Sequence, residues 1–370
     1  MSLEVRFNAF DRLHREYGAE LRGAFEKVIS SGRYVLGPEL AAFERELAER
    51  IGVRHAVGVG NGLDALVLGL QAAGLRPGQK VATTPLTAFA TTLAVARCGG
   101  VPVYIDVDEH GLLDLDALEA RLTLERVPFV LPVHLYGQPL DLRRLTELCS
   151  RFGSILIEDV AQALGASSAG RFCGSAGKIS AVSFYPTKNL GAIGDGGAVL
   201  TNDDGLAAYV RAARNYGESE RSIHPLLGCN SRLDEVQAAI LRALLPALDG
   251  FTERRRAAAR TYMQRMSNPR VELPLRDRLD DSVWHLFPVL VREPARFMAH
   301  LKANGIESLR HYPVLCADQE ALKDHPHESR GALPRARRWA ASEVSLPCHP
   351  FLTAAELEHV GAAVNAYDDR

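Results

Sequence analysis

Between Lys80 and Asn202, short apolar runs alternate with stretches that have helical spacing. Several runs are apolar at consecutive positions, a pattern typical of strands buried on both faces of a parallel sheet. The six runs cover residues 81–84, 101–106, 129–133, 154–158, 181–184 and 197–201. The pattern therefore predicts an α/β fold with a large, mostly parallel sheet between helices. Such a sheet binds its ligand at the carboxyl ends of its strands, so motifs at those ends matter most.

At 370 residues the chain is long enough for about two domains. We predict a larger domain over residues 1–245, in which helices over 21–30 and 39–51 precede the sheet. Residues 246–370 are predicted to form a smaller C-terminal α+β domain. A helical stretch over 233–266, interrupted at Pro246 and Gly250, leads into this domain. Strands over 283–291 and 306–309 and a closing helix from Thr353 are predicted to complete it.

Charge and cysteine content restrict the partners of the chain. Lysine plus arginine number 43 and the acids 45, so the net charge of −2 provides no field that would attract nucleic acid or an anionic membrane. No uncharged apolar run is long enough to span a membrane, and the charged N-terminal segment does not resemble a signal peptide. The six cysteines are scattered and have no metal-binding spacing. We therefore expect a cytoplasmic protein with reduced thiols and no metal, nucleic-acid or membrane partner.

A glycine-rich turn over residues 58–62 leads into an apolar helix, with Asn61 as the expected N-cap. Free amide groups at a helix N-terminus attract anions, and glycines allow a phosphate to approach the backbone. The turn matches the dinucleotide-binding pattern only in part and follows no clear strand, so we do not expect NAD binding. It is either a structural turn or a phosphate site.

A second candidate lies where the run over 154–158 ends, at Glu158 and Asp159, with Gln162 on the following turn. A carboxylate at a buried strand end loses hydration, which is unfavourable unless a partner compensates. Asp159 is therefore either a helix N-cap or the partner of a cationic ring nitrogen in a cofactor.

A third candidate is Lys188, which follows the strand run ending at Phe184 in a loop closed by four glycines. Most loop lysines are solvated, but this one lies between two buried strands, where desolvation makes an amine more nucleophilic. A lysine that can bond to an aldehyde, an acid for a pyridinium ring and a phosphate-binding turn are together the features of a pyridoxal phosphate site.

With these motifs, the chain resembles over nearly its whole length the DegT/DnrJ/EryC1/StrS family of sugar aminotransferases. The matching segments are SGRYVLGPELAAFERELAERIGVRHAVGVGNGLDAL, PVYIDVD, VHLYGQPLDL, IEDVAQALGA, SFYPTKNLGAIGDGGAV, RNYG, GCNSRLDEVQAAIL and HYPV. The resemblance implies pyridoxal 5'-phosphate as cofactor and the aspartate-aminotransferase fold (fold type I). The larger domain, residues 1–245, would then bind the cofactor.

The resemblance also implies a role for each matching residue of the cofactor ring site. Lys188 would bind the cofactor covalently and then carry the proton between the amino-bearing carbon and C4′. Asp159 would keep the pyridine nitrogen protonated, which makes the ring an electron sink. Gln162 would hydrogen-bond the phenolic oxygen of the cofactor.

The phosphate would be held by Ser183 and by the amides of Gly62 and Leu63. Family members commonly have a threonine where Leu63 stands, so a hydroxyl contact would be missing here. Asn230 would reach the same phosphate from the neighbouring subunit, so the active unit is expected to be a homodimer with shared sites.

Two further positions follow from the resemblance. Family members tend to carry a ring-stacking aromatic at the position of Ala88, and here Phe89 stands one residue later, so either Phe89 stacks on the cofactor or another residue does. His311 and Tyr312 match a substrate-contacting segment, while a packing role at a domain edge is equally open for both.

The predicted reaction transfers the amino group of L-glutamate to a nucleotide-linked keto-deoxysugar, at C3 of a dTDP-linked keto-6-deoxyhexose. Three alternatives stay open: amination at C4, amination of a keto-cyclitol in aminoglycoside assembly, and a pyridoxal-phosphate-binding regulator without turnover. In relatives that deoxygenate sugars a histidine replaces the lysine, so Lys188 argues against that reaction.

Overall fold

The computed structural model describes residues 3–329 and 331–368. The helices in this range are α1 (Phe10–Ser31), α2 (Pro38–Ile51), α3 (Gly62–Ala72), α4 (Phe89–Arg97), α5 (Leu115–Leu124), α6 (Leu142–Phe152), α7 (Asp204–Ala213), α8 (Glu235–Leu244), α9 (Leu248–Arg265), α10 (Pro294–Ala303), α11 (Pro334–Ser342) and α12 (Ala354–Ala366). The strands are β1 (His55–Val59), β2 (Lys80–Thr83), β3 (Val101–Tyr104), β4 (Phe129–Leu131), β5 (Ile155–Asp159), β6 (Ser167–Ser168), β7 (Arg171–Phe172), β8 (Ile179–Ser183), β9 (Gly197–Thr201), β10 (Val271–Glu272), β11 (Phe287–Val291), β12 (Glu328–Ser329) and β13 (Glu343–Leu346).

The large sheet has the strand order β1-β9-β8-β5-β4-β2-β3-β12. Its strands from β8 to β12 run parallel to one another, while β9 is antiparallel to both β1 and β8. Helix α3 packs against β8 and β9, and α8 packs against α1 and α2. The predicted α/β architecture with a mostly parallel sheet is thereby confirmed. Because β5 and β8 are neighbours, the residues that follow them meet at one edge of the sheet.

A second, antiparallel sheet has the order β10-β11-β13, and its strands come from the C-terminal part of the chain. Strand β12, from the same part of the chain, instead joins the edge of the large sheet beside β3. One apolar cluster continues from the large sheet into this part, and within it Tyr136 stacks on Trp339 with ring centroids 5.5 Å apart. The chain enters the C-terminal part through a short 3-10 turn, Leu245–Ala247, between α8 and α9. We propose the boundary between a domain of residues 1–245 and a domain of residues 246–370 at this turn.

Four local expectations were wrong or incomplete. Strand β1 does precede the glycine-rich turn, and Gly250 lies inside α9 without interrupting it. The expected strand over 306–309 is reduced to isolated bridges at Ile306 and Leu309, and that over 283–291 begins at Phe287. Strand β13 was not predicted. For the strands, backbone partners distant in sequence decide the conformation, whereas Gly250 stays within the local hydrogen bonding of α9.

The expected helix ends at Asn61 and Thr353 are confirmed. The Asn61 side chain accepts a hydrogen bond from the backbone N–H of Asp64, and Thr353 forms a capping box with Glu356 at the start of α12. Among the helices that the structure describes, none has the length and apolar character that crossing a membrane requires.

Candidate functional site

The two acids at the end of β5 point to opposite faces of the sheet, because successive side chains of a strand alternate. The Glu158 carboxylate is completely buried and lies 3.0 Å from Nε2 of His134. It accepts further hydrogen bonds from one hydroxyl and three backbone N–H groups, those of Ser180, Gly174, Ala176 and Gly177. Glu158 is therefore a fully satisfied structural carboxylate that fixes the loop after β7.

Asp159 faces the carboxyl edge of the sheet, and 4% of its surface is exposed. Its two oxygens accept hydrogen bonds from the Thr91 hydroxyl at 2.9 Å and from the Ala161 N–H at 3.1 Å. Burial raises the pKa of Asp159, an effect that these two donors and the charge of Lys188 oppose. No cation of the described chain forms an ion pair with Asp159. A buried carboxylate of this kind is suited to pair with a cationic N–H of a bound molecule.

Lys188 lies half-buried in the loop between β8 and β9, on the same edge of the sheet. A turn closes this loop, in which the Lys188 N–H donates to the carbonyl of Tyr185 at 2.8 Å. Gly191 packs so close to this turn that a Cβ there would lie 2.3 Å from the carbonyl oxygen of Pro186, so only glycine fits. Burial lowers the pKa of Lys188 to about 8, while Asp159 opposes the shift. About a tenth of the amine is therefore unprotonated and nucleophilic at pH 7, far more than for a solvated lysine.

The glycine-rich turn forms a third side of the same edge. A Cβ on Gly62 would lie 2.7 Å from Cβ of Ser183, so the start of α3 lies directly against the end of β8. Among the described residues, nothing accepts a hydrogen bond from the N–H groups of Gly62 and Leu63. Two free amides and a serine at a helix N-terminus are suited to bind an anion such as a phosphate.

Gln162 links two tyrosines beside this edge. Its Oε1 accepts the Tyr136 N–H at 2.6 Å, and its Nε2 donates to the Tyr312 hydroxyl at 3.1 Å. The Tyr136 hydroxyl in turn donates to the carbonyl of His311 at 2.5 Å. The structure thus brings His311 and Tyr312, from the C-terminal part of the chain, to the same edge as Gln162.

Two predicted site residues have looser connections to this group. Phe89 is the first residue of α4, two positions before Thr91, and is half-buried against the large apolar cluster. Asn230 is exposed and forms a backbone bridge with Asn215. No hydrogen bond within the described chain joins Asn230 to Gly62 or Ser183. The contacts of Asn230 therefore do not support a role for it at the phosphate site formed by Gly62 and Ser183 of the same chain.

Thr91 and Tyr136 also lie at this edge, and neither was predicted from the sequence as a site residue. Thr91 lies one helical turn after Thr87, with which it shares a hydroxyl contact of 3.2 Å, and the apolar helix pattern conceals it. Tyr136 follows β4 closely, and the rule that ligands bind at carboxyl ends of parallel strands would have selected it.

The donor set fits pyridoxal phosphate. A nucleophilic lysine, a buried carboxylate with no cation partner and two free amides beside a serine surround one edge of the sheet. These groups match the aldehyde, the pyridinium nitrogen and the phosphate of that cofactor, respectively. A Cβ on Gly62 would fill the space next to Ser183 where the phosphate would bind.

Comparison with known proteins agrees with this geometry. The model of the DegT/DnrJ/EryC1/StrS aminotransferase family matches residues 16–365. The dTDP-3-amino-3,4,6-trideoxy-alpha-D-glucose transaminase of Streptomyces venezuelae is 43% identical over 369 residues, which are 99% of this chain and 97% of the relative. The crystal structure of S. venezuelae DesV in complex with a ketimine intermediate is 42% identical, with a TM-score of 0.94 over 99% of both chains. That of NtdA from Bacillus subtilis with bound cofactor PMP is 28% identical, with a TM-score of 0.87 over 98% of this chain and 84% of NtdA.

Proposed function

The chain belongs to the DegT/DnrJ/EryC1/StrS aminotransferase family, and from this premise we propose the details of the reaction that it catalyses. It is a pyridoxal-phosphate-dependent aminotransferase that acts on a nucleotide-linked keto-sugar. The amino donor is L-glutamate, and the acceptor is the C3 ketone of a dTDP-linked keto-6-deoxyhexose. One observation carries the proposal: Asp159 ends β5, Lys188 lies in the loop after the neighbouring strand β8, and both therefore lie at the same buried edge of the sheet.

Lys188 would bond to the aldehyde carbon of the cofactor, with the aldehyde oxygen leaving as water, and would later move a proton at the carbon that carries the amino group. Its lowered pKa of about 8 keeps part of the amine unprotonated for both tasks. Thr91 and the Ala161 N–H orient the Asp159 carboxylate, which would hold a proton at the pyridine nitrogen. The bound cofactor supplies an electron sink that stabilises negative charge at the reacting carbon.

The phosphate of the cofactor is bound by the free amides of Gly62 and Leu63 and by the Ser183 hydroxyl. The Leu63 side chain adds no hydroxyl to this set, so the backbone carries more of the binding than in relatives with threonine there. Gln162 approaches the phenolic oxygen, with its orientation fixed by Tyr136. Phe89 is the proposed stacking residue for the ring.

The Asn230 side chain binds the phosphate in the site of a second subunit. Its exposure on the single chain leaves the side chain available to a second subunit and supports this role. The proposed active unit is therefore a homodimer with shared sites. The six free thiols agree with the cytoplasmic location that we also propose.

Substrate selection involves His311 and Tyr312, which lie beside Gln162. The names of relatives favour a C3 sugar over the alternatives, because the 43% identical S. venezuelae enzyme and a 38% identical one from Aneurinibacillus thermoaerophilus are both named as transaminases for 3-amino sugars linked to dTDP. One site serves the amino donor and the sugar in turn, so we expect ping-pong kinetics.

The experiment begins with purified protein that has bound pyridoxal phosphate, which should be yellow. Glutamate alone should bleach the colour, and a panel of keto-sugar nucleotides and keto-cyclitols should then be offered to the aminated form. Product mass and NMR identify the acceptor and the aminated carbon. If no amino donor changes the absorbance, the aminotransferase reaction is excluded. Turnover of a cyclitol, or amination at C4, would replace the proposed acceptor.

A further inference from the structure

Glu343, the first residue of β13, is a buried carboxylate for which the reaction above has no use. Its Oε2 accepts the His311 N–H at 2.6 Å, and its Oε1 accepts the Ser345 hydroxyl at 2.5 Å. None of its surface is exposed, and no cation of the described chain lies within ion-pair distance of it. Because Glu343 and Ser345 are two positions apart in one strand, their side chains share a face.

The Ser345 hydroxyl connects this carboxylate to the ring of His311. Its Oγ lies 2.9 Å from Nδ1 of His311. Two backbone hydrogen bonds between Leu309 and Ser345, of 2.8 and 3.2 Å, hold the two segments side by side. The ring of His311 stacks on Phe7 with centroids 5.9 Å apart. The position of the imidazole is therefore fixed by contacts on several sides.

The hydrogen-bond chain determines which nitrogen of His311 carries the proton. Burial and the charge of Lys188 lower the pKa of His311 to about 4, so the ring is neutral near pH 7. An ionised Glu343 can only accept, so Ser345 donates to it and accepts from Nδ1–H. Nε2 then carries the lone pair. Nε2 forms no hydrogen bond to a described residue, and the His311 side chain lines a cavity together with Thr187.

We propose that Glu343 acts through Ser345 as a positioning residue for His311. In its ionised form it keeps His311 in the Nδ1–H tautomer, so that Nε2 accepts a hydrogen bond from a hydroxyl group of the sugar substrate. Uptake of a proton by Glu343 reverses the direction of the hydrogen bonds that join Glu343, Ser345 and His311. The part that concerns the sugar rests on the proposed function, whereas the tautomer does not.

The reversal conserves protons apart from the one that Glu343 takes from solvent. Protonated Glu343 donates to Ser345, Ser345 donates to Nδ1, and the ring proton moves by exchange with water to Nε2. His311 then presents a donor in place of an acceptor. A sugar hydroxyl can donate to the acceptor form of His311 or accept from the donor form. A hydroxyl whose oxygen already accepts another hydrogen bond can pair only with the acceptor form.

The surroundings of Glu343 place its titration near neutral pH. Burial raises its pKa to about 7, opposed by Ser345, by the His311 N–H and by the charge of Arg310. The hydroxyls of Tyr136 and Tyr312 are the other titratable groups nearby, and burial keeps both neutral. On β11 the residue paired with Glu343 is the apolar Leu290.

The tautomer can be read without turnover, by ¹⁵N NMR of the holoenzyme labelled at histidine, with the His311 signals assigned by comparison with His311→Gln. At pH 8.5 wild-type protein should show the Nδ1–H tautomer, and at pH 6 a shift toward Nε2–H. Ser345→Ala should remove this pH dependence, Ser345→Thr should keep it, and Ser342→Ala, on the neighbouring helix end, should match wild type. An unchanged tautomer between the two pH values in wild type, or wild-type behaviour in Ser345→Ala, would overturn the proposal.

The link to the substrate needs a kinetic measurement with the keto-sugar acceptor. Ser345→Ala should weaken the hydrogen bond between Nε2 of His311 and the sugar hydroxyl. Loss of one such neutral hydrogen bond predicts a KM for the sugar that is about three- to tenfold higher, with the half-reaction with glutamate unchanged. Equal losses in both half-reactions would indicate a general structural defect and contradict the role toward the sugar. If the tautomer responds as expected while no sugar is turned over, the positioning role stands and the proposed function fails.

Discussion

Gly62 and Ser183 approach each other so closely that a Cβ on Gly62 would lie 2.7 Å from the Cβ of Ser183. The start of α3 and the end of β8 thus form a narrow cleft lined by two free amides and one hydroxyl. The cleft depends on the absence of a single methyl group. A single substitution in this cleft can therefore test whether the cofactor phosphate binds there.

Gly62→Ala should therefore weaken cofactor binding. The added methyl group must displace Ser183 or the helix start, and overpacking of this kind costs about 1–3 kcal/mol. Titration of the apo-protein with pyridoxal phosphate, followed by absorbance, measures the change. Gly23→Ala is the control, because a Cβ at Gly23 in α1 meets no atom within 4 Å. Equal affinity of both variants would mean that the phosphate binds elsewhere.

Lys188→Ala should abolish the covalent attachment of the cofactor and the yellow colour, whereas Lys178→Ala, an exposed lysine before β8, should retain both. The pH dependence of attachment gives a finer test. Because the pKa of Lys188 is lowered to about 8, the rate of attachment should rise with pH to a midpoint near that value instead of near 10.5. Stopped-flow absorbance of the apo-protein with pyridoxal phosphate measures this profile.

Asp159→Asn should shift the same profile to lower pH, because the negative charge of Asp159 raises the pKa of Lys188. The variant should bind the cofactor but lose about a hundredfold or more in the rate of transamination, since a charged partner of the ring nitrogen is missing. Single-turnover bleaching with glutamate measures this loss. Full activity in Asp159→Asn would rule out the electron-sink role.

Glu158→Gln should affect stability more than chemistry. The amide cannot accept all the hydrogen bonds that the carboxylate accepts, and an unsatisfied buried network costs about 1–3 kcal/mol or more. Urea unfolding of the apo-protein should show a lower midpoint for Glu158→Gln than for Asp159→Asn. The reverse order would mean that the roles of the two acids have been exchanged.

Mixing two inactive variants tests whether Asn230 acts across subunits. Random reassembly of Lys188→Ala and Asn230→Ala chains should give mixed dimers with one intact site each, and about a quarter of wild-type activity overall. Each variant alone should show only its own residual rate. Activity that does not rise on mixing would place Asn230 in the site of its own chain or outside any site.

The sequence predicted the large sheet and the positions of Lys188, Asp159 and Gln162, because these depend on local patterns. Apolar runs define buried strands, and chemistry-bearing residues follow them directly. Strand β1 was missed because Gly58 weakens its local signal, and its pairing with β9 lies about 140 residues away in sequence.

Strand β13 could not be predicted, because its burial depends on contacts that are distant in sequence. It carries buried polar side chains at Glu343 and Ser345, and their burial makes sense only with His311 beside them. Contacts of this kind join segments that no periodicity relates. The same holds for Tyr136, whose hydroxyl reaches the carbonyl of His311 from a turn after β4.

Glu158 and Asp159, adjacent in one strand, should be required for different properties of the protein. A library that randomises positions 158 and 159 together should return glutamate at the first whenever expression yield is selected, and aspartate at the second only when turnover is. Exchanging the two residues should reduce both expression yield and turnover, because the side chains at 158 and 159 point to opposite faces of the strand. Two neighbouring residues thus have separate roles: Glu158 stabilises the fold, and Asp159 serves the reaction.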